Sequence, residues 1–246
     1  MSYKIFARPG WRARIAAIQP ATGYAITAGF CRMAPEGVSI NTTIVHKPIT
    51  QDTVEQLAQV GDYVVDAAKV LAPGKPDVIV WTCTTGSLMR GYGYDQELVK
   101  RIEDATKIPA TTTATAVMAA FKKLGIKKVC LATPYIDEVN KVEKTFLEDN
   151  GFEVLIFKGL QIVPSAEIIN VPPYEMYQLA KEVYLPQADG IFISCTGLEV
   201  VDIIEPLEHD LGKPVVTSNQ ASFWHALQIA KVKEPIEGYG RLLREQ

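Results

Sequence analysis

Two stretches of the chain decide the fold, because they are near copies of each other. Residues 76–84 read PDVIVWTCT, and residues 188–196 read ADGIFISCT. In each stretch an acidic residue precedes a short apolar run, a small hydroxyl residue closes the run, and Cys-Thr stands where a helix should begin. The two copies therefore predict two equivalent strands that each end in a thiol, Cys83 in the first copy and Cys195 in the second.

The repetition extends to both sides of these strands. RIAAIQPA at 14–21 has a counterpart in KVCLATPY at 128–135, and KIPATT at 107–112 has one in GKPVVT at 212–217. The proline of the first pair precedes its cysteine by 63 positions in one copy and by 61 in the other. Three landmarks in the same order predict an internally duplicated fold in which each half is a layered βα unit.

The hydrophobic pattern of the whole chain alternates between strands and helices. Most of the apolar runs lack polar alternation, which predicts strands buried on both faces of a parallel sheet that helices cover. The expected fold is α/β, with two pseudo-symmetric Rossmann-like lobes and the active site in the cleft between them. We assign 1–113 plus 218–246 to the first lobe and 114–217 to the second. The predicted strands lie near 14–20, 38–45, 77–83, 109–112, 127–133, 153–157, 189–195 and 214–217.

Helical periodicity is clearest between residues 54 and 71, where apolar residues recur at spacings of three and four. We predict one continuous helix here, which begins beside Asp52 and Glu55 as a capping pair and stops at Pro73-Gly74. Further helices are predicted near 95–106, 114–124, 136–150, 173–187, 198–211 and 219–231.

Composition excludes several classes of function. The chain has 246 residues, 48% of them hydrophobic, and a net charge of −3 with both signs interspersed, so we expect no nucleic-acid surface and no basic membrane patch. No apolar stretch reaches the ~20 residues that span a bilayer, and Met1–Lys4 do not begin a signal peptide. The expected location is cytoplasmic. A homo-oligomer is left open.

The four cysteines form no C-x-x-C pair, so the sequence predicts neither a disulfide scaffold nor a zinc site. Cys31 and Cys130 are expected to be small buried hydrophobic residues. No G-x-G-x-x-G or Walker sequence is present, which argues against a nucleotide cofactor. The three histidines lie in unlike contexts and none adjoins a duplicated turn.

The duplicated turns have a chemistry of their own. In parallel α/β sheets, ligands bind where the strands end and face the N-termini of the following helices. A helix N-terminus lowers the pKa of a thiol there and favours the thiolate. The same N–H groups, with the hydroxyls of Thr84, Thr85, Ser87 and Thr196, can hold a carboxylate without a basic residue. The alternative is that a tight βα turn merely requires a small residue at each cysteine.

Five segments resemble the aspartate/glutamate racemase superfamily, in its branch of maleate cis-trans isomerases and arylmalonate decarboxylases. They are 114–117, 124–129, 132–140, 194–197 and 238–243. The resemblance implies a small carboxylate bound between two catalytic positions, with no metal and no organic cofactor. In maleate isomerases the position of Cys83 is the nucleophile and that of Cys195 handles the proton. The position of Tyr135 supplies a hydroxyl to a substrate carboxylate.

The chain departs from both patterns that it resembles. Arylmalonate decarboxylases carry glycine at the position of Cys83, which argues against a pure decarboxylase. Maleate isomerases usually place asparagine after the first-strand proline and again in the second lobe. Here those stretches are Pro20-Ala21-Thr22-Gly23 and Pro164-Ser165-Ala166-Glu167, so hydroxyls would replace two amides. Gly197, beside Thr196, completes the expected substrate-binding set.

The sequence thus predicts a cofactor-independent, two-cysteine isomerase of a small carboxylic acid, similar to maleate cis-trans isomerases. Its reaction would be thiolate addition, bond rotation and elimination to the trans acid. An α-carbon racemase or an arylmalonate-type decarboxylase is the alternative within catalysis. A non-catalytic carboxylate-binding protein is the alternative outside it, although such a protein has no reason to keep two thiols at equivalent strand ends.

Overall fold

The computed structural model describes residues 8–46 and 49–246, where the chain forms two four-stranded sheets. The first sheet has the order β2-β1-β3-β4 and the second β6-β5-β7-β8, and all neighbouring strands are parallel. The strands are β1 (Ala13–Gln19), β2 (Val38–Ile44), β3 (Val78–Trp81), β4 (Ala110–Thr112), β5 (Lys128–Thr133), β6 (Glu153–Gly159), β7 (Gly190–Ile193) and β8 (Val215–Thr217). The predicted duplicated α/β fold is confirmed. Met1–Lys4, on which the signal-peptide argument rests, lie outside the described residues.

Helices cover both sheets, and the last long helix returns from the end of β8 to pack against α1, α6 and β3. The α-helices are α1 (Tyr24–Met33), α2 (Val54–Val60), α3 (Val64–Leu71), α4 (Thr84–Leu88), α5 (Tyr94–Thr106), α6 (Thr113–Leu124), α7 (Asp137–Asp149), α8 (Pro173–Val183), α9 (Ile204–Leu211), α10 (Ser218–Ile229) and α11 (Arg241–Arg244). Short 3₁₀ turns occupy Gly61–Tyr63, Ala72–Gly74, Ser165–Asn170 and Val201–Ile203. In the described part of the chain, no helix is both long and apolar enough to cross a bilayer.

The duplication is visible in the hydrogen bonds that fix strand register. A carboxylate oxygen of Asp77 accepts a 2.8 Å hydrogen bond from the main-chain N–H of Arg14, and Asp189 accepts an equivalent 2.8 Å bond from Lys128. The acids that open the two sequence copies therefore perform the same task. Each acid joins the start of one central strand to the start of the neighbouring central strand. This bond fixes the register of the strand, and with it the position of the cysteine that follows the strand.

Burial follows strand position within each sheet. The central strands β1, β3, β5 and β7 are almost entirely buried, and so are the edge strands β4 and β8, whereas the opposite edge strands β2 and β6 are mostly half-buried or exposed. The expectation of burial on both faces therefore fails only at β2 and β6. The helices α5 and α9 pack against β4 and β8.

The predicted helix over 54–71 is interrupted, so the expectation of one continuous helix is wrong. The chain leaves α2 at Val60, tightens into a 3₁₀ turn, and resumes as α3 at Val64. A β-carbon on Gly61 would lie 2.1 Å from the Tyr94 hydroxyl oxygen. Glycine thus permits the close approach of Tyr94, and the helix changes its winding where the ring packs.

Other helix boundaries differ from the periodicity. A helix begins directly after Cys83 as predicted, whereas none begins directly after Cys195, and the predicted helix over 198–211 is regular only from Ile204. The helices α1 and α11 were not predicted. Small and hydroxyl residues dilute the apolar period where α1 begins, and α11 has only four residues.

Candidate active site

One pocket lies where the carboxyl ends of the two sheets meet, and both halves of the chain line it. Pro20 follows β1, Cys83 follows β3, Tyr135 follows β5 and Cys195 follows β7. The full lining is Pro20, Thr22, Ile49, Asp52, Leu57, Cys83, Thr84, Thr85, Tyr135, Ser165, Ile168, Ile169, Cys195, Thr196 and Gly197. All but two of the sequence-predicted site residues line this pocket. Ala21 is exposed, and Ser87 is fully buried with its hydroxyl bonded to the main-chain carbonyls of Cys83 and Thr84.

Cys83 is the N-terminal cap of α4. Its sulfur accepts a hydrogen bond from the Gly86 N–H at 3.4 Å, and the Thr85 hydroxyl oxygen lies 3.9 Å from the sulfur. A β-carbon on Gly86 would lie 2.9 Å from this sulfur and 2.6 Å from Val60, so only glycine lets the turn close on the thiol. The backbone around Cys83 is therefore shaped to present donors to sulfur.

Cys195 occupies the equivalent place in the second half with a different backbone. Its φ is +113°, a region that side chains with a β-carbon rarely adopt. The sulfur accepts a 3.3 Å hydrogen bond from the Gly197 N–H, and the neighbouring Tyr135 hydroxyl acts to lower the pKa of the thiol. Backbone strain of this kind is concentrated at functional sites, where the surrounding structure enforces it.

Burial controls the protonation of both thiols. Cys83 is 5% exposed and Cys195 is 7% exposed. Desolvation raises the pKa of Cys83 to about 12 against the smaller opposing effect of the Gly86 N–H, and it raises the pKa of Cys195 as well. The Gly86 N–H lowers the pKa of Cys83 as expected, but the expected net lowering is wrong, because loss of water outweighs the hydrogen bond.

Ser218, the first residue of α10, joins the two cysteine turns. Its hydroxyl oxygen accepts from the Cys195 N–H at 3.0 Å and from the Thr84 hydroxyl at 2.8 Å. Because the Thr84 hydroxyl donates to Ser218, it is not available to a ligand. The donors that remain beside Cys83 are the Thr85 hydroxyl and main-chain N–H groups. Sequence reasoning missed Ser218, although it directly follows the third repeated landmark at 212–217.

Asp52 is the second residue that sequence reasoning missed as part of the site. It was expected to cap a helix, but Thr53 caps α2 through a bond from the Gln56 N–H, and Asp52 lines the pocket. One carboxylate oxygen of Asp52 accepts a 2.5 Å hydrogen bond from the Ser165 hydroxyl. Burial raises the pKa of Asp52, and the bond from Ser165 opposes this increase.

The remaining cysteines and the histidines lie away from this pocket. Cys130 is fully buried in β5 as predicted, whereas Cys31 is exposed on α1, so the expectation that Cys31 is buried is wrong. None of His46, His209 and His225 lines the pocket. Within the described residues, no group of three or more His, Cys, Asp or Glu side chains comes together as a metal site.

The fold and the pocket define a class of two-lobed α/β enzymes with the site at the junction of equivalent strand ends. The chain belongs to the arylmalonate decarboxylase family, whose model matches residues 19–243. It is 34% identical to the arylmalonate decarboxylase of Bordetella bronchiseptica over 196 residues, which cover 78% of this chain and 82% of that protein. The predicted resemblance to this branch is confirmed.

Maleate isomerases are relatives as well. The chain is 25% identical to the maleate isomerase of Pseudomonas putida over 179 residues, 70% of this chain and 72% of that protein. A crystal structure of a maleate isomerase variant from Pseudomonas putida S16 with maleate superposes with a TM-score of 0.90 at 21% identity, covering 94% of this chain and 97% of that one. The chain thus shares its fold with a maleate isomerase, and the two relatives are named for different reactions.

Proposed function

We propose that this chain is a cofactor-independent isomerase of a small carboxylic acid, which works through Cys83 and Cys195 on a maleate-like substrate. One observation carries the proposal: the two duplicated turns bring a thiol from each half to a single pocket. A site that needed one acid would have no use for the second thiol. Two sulfurs in one pocket suit a reaction in which one adds to a carbon and the other manages a proton.

The proposed reaction begins when the Cys83 thiol transfers its proton to a carboxylate of the bound substrate. The Gly86 N–H favours this step because it donates to the sulfur, and the Thr85 hydroxyl lies beside the same sulfur. The thiolate adds to one alkene carbon, so a C–S bond forms while the π bond breaks, and its electron pair moves onto the adjacent carboxylate as an enediolate. Rotation about the new single bond follows. Return of the electron pair then re-forms the double bond in the trans geometry and expels the thiolate.

Cys195 has the complementary task of supplying and recovering a proton at the neighbouring carbon. Its raised pKa keeps it a neutral thiol, which is the form that can donate. The Gly197 N–H donates to its sulfur and the Tyr135 hydroxyl acts to lower its pKa, so both favour the thiolate that forms when the proton moves to the substrate. No group outside the pocket is needed to balance the protons.

Mass spectrometry tests this mechanism. Quenching a turnover of maleate should leave protein heavier by one substrate, with the added mass on the peptide that contains Cys83. The same incubation followed by NMR should show fumarate. Solvent deuterium exchange into a chiral acid without an adduct would instead indicate an α-carbon racemase, and the absence of both the adduct and fumarate would refute the isomerase.

Decarboxylation of a malonate-type acid is the second candidate, because the relative at 34% identity is an arylmalonate decarboxylase. Loss of CO₂ leaves an electron pair on the α-carbon, and Cys195 alone could protonate it. This reaction does not use Cys83. A Cys83→Gly variant that releases CO₂ from phenylmalonate as fast as the unaltered chain would therefore favour the decarboxylase over the isomerase.

A further inference from the structure

The pair formed by Asp52 and Ser165 is a fixed part of the pocket wall. Main-chain bonds between the two halves hold it, since the Asp52 N–H donates to the Val163 carbonyl at 2.7 Å and the Ser165 N–H donates to the Thr50 carbonyl at 3.1 Å. Gln51 and Pro164 form an antiparallel bridge between these bonds. The two side chains therefore meet because the backbone places them together.

Among the described residues that line the pocket, Asp52 is the only one with an acidic or basic side chain. The other titratable groups there are Cys83, Cys195 and Tyr135, and burial raises the pKa of each. Glu55 and Glu167, the described charged residues nearest to the pair in sequence, are exposed to solvent. Across residues 8–46 and 49–246, no lysine, arginine or histidine lines the pocket to neutralise Asp52.

An ionised Asp52 conflicts with the proposed chemistry in two ways. A carboxylate substrate would enter a poorly hydrated pocket against a like charge. The negative charge of Asp52 would also raise the pKa of Cys83 and Cys195, which opposes formation of the attacking thiolate. A neutral Asp52 removes both conflicts.

We propose that Asp52 acts as a neutral carboxylic acid that donates a hydrogen bond to the second carboxylate of a dicarboxylate substrate. This inference rests on the proposed function, and it identifies Asp52 as a specificity-determining residue. The Ser165 hydroxyl donates to one carboxyl oxygen of Asp52, which leaves the other oxygen to carry the proton and face the ligand. Ser165 is then a positioning residue that fixes which oxygen donates.

Substitution of Asp52 by asparagine tests whether Asp52 acts as a neutral hydrogen-bond donor or as a carboxylate anion. An Asp52→Asn side chain keeps a hydrogen-bond donor and an acceptor for Ser165 but carries no charge, whereas Asp52→Ala keeps neither. Succinate is a suitable probe because it has two carboxylates and no double bond to react. Calorimetric titration of the full chain with succinate between pH 5.5 and 8.5 measures the affinity, and Glu55→Gln serves as the exposed carboxylate control.

We expect the unaltered chain to lose affinity by about tenfold per pH unit above the pKa of Asp52. Asp52→Asn should bind succinate within about threefold of the unaltered chain at pH 5.5 and should lose that decline, apart from the titration of succinate itself. Asp52→Ala should bind about tenfold more weakly. Ser165→Ala should weaken binding without abolishing it, and Glu55→Gln should behave like the unaltered chain.

Three results would overturn the inference: an Asp52→Asn variant as weak as Asp52→Ala, an affinity of the unaltered chain that rises with pH, or no succinate binding at any pH. If the unaltered chain binds aspartate and Asp52→Asn does not, Asp52 works as an anion that recognises an ammonium group. Turnover of maleate is assayed separately. Succinate binding as expected, without isomerisation, would refute the proposed function and leave the role of Asp52 standing.

Discussion

The hydroxyl of Thr196 donates a 3.2 Å hydrogen bond to the main-chain carbonyl of Thr82. Thr196 follows the second cysteine and Thr82 precedes the first, so this bond joins the two cysteine turns directly. The bond is buried on both sides. The relative position of the two sulfurs therefore depends on a contact between the halves as well as on each sheet.

Removal of that contact should impair chemistry more than folding. We expect Thr196→Val, which keeps the shape and loses the hydroxyl, to cost about 1 kcal/mol of unfolding free energy. Turnover should fall by about tenfold or more because the reacting groups lose alignment. Thr196→Ser restores the donor and should recover most of the rate. Denaturant unfolding beside progress curves measures both effects, and equal rates for the valine and serine variants would contradict this role.

The two pocket thiols should be required while the core thiol is not. Cys83→Ala and Cys195→Ala should each lower turnover by about 10³-fold or more and leave the circular dichroism spectrum unchanged. Cys130→Ala is the matched control, because Cys130 is fully buried and lies outside the pocket. It should cost about 1 kcal/mol of stability and leave the rate unaltered. A Cys83→Ala enzyme with near-normal isomerisation would exclude the addition mechanism.

The backbone at Cys195 should be more stable without a side chain. Its φ of +113° is accessible to glycine and strained for alanine or cysteine. We therefore expect Cys195→Gly to be about 1 kcal/mol more stable than Cys195→Ala, although both are inactive. Thermal melts of the two variants provide the comparison. If the glycine variant melts at a lower temperature than the alanine variant, the backbone at residue 195 is not strained.

Glu143 should make stability depend on pH. It is fully buried on α7, accepts a 2.6 Å hydrogen bond from the Ser194 hydroxyl, and has one carboxylate oxygen without a partner. Burial raises its pKa to about 7. Since the folded pKa exceeds the unfolded value, the stability that the protonated form contributes is complete below about pH 4.5 and is lost as the pH rises through 7.

We therefore expect the difference in unfolding free energy between Glu143→Gln and the unaltered chain to shift in favour of the variant from pH 4.5 to pH 8. The shift should be on the order of 3 kcal/mol. Glu138→Gln, on the exposed face of the same helix, is the control and should show no such gain. Urea unfolding at both pH values measures the difference. If the difference in unfolding free energy between the variant and the unaltered chain is the same at pH 4.5 and pH 8, Glu143 does not titrate in this range.

The fold and the two sulfurs were predictable because they repeat. A buried parallel strand must end in a turn, and when two copies place cysteine in that turn, the position of each thiol follows from the other. The acids at 77 and 189 reinforce this, since identical register bonds put both cysteines at equivalent strand ends. At the two repeated strands, the local sequence pattern and the three-dimensional fold give the same position for each cysteine.

Asp52 and Ser218 could not be recognised in the same way. The pattern at 52–55 satisfies the rule for a helix cap, and only the pairing with residues 163–165 shows that Asp52 is turned into the pocket. Ser218 acts through groups far away in sequence, since Thr84 lies 134 positions before it along the chain. The interruption at Gly61 likewise arises from Tyr94, which the local period does not contain.

The strand-like pairing of residues 50–52 with 163–165 has a kinetic consequence. Both thiols are almost sealed from solvent, and this pairing ties the two halves of the chain together beside them. If the chain binds the proposed dicarboxylate, we expect its release to require that the halves part, so that its residence time depends on how often this happens. Slow dissociation would accordingly be a property of the backbone around the pocket, shared by ligands of quite different intrinsic affinity.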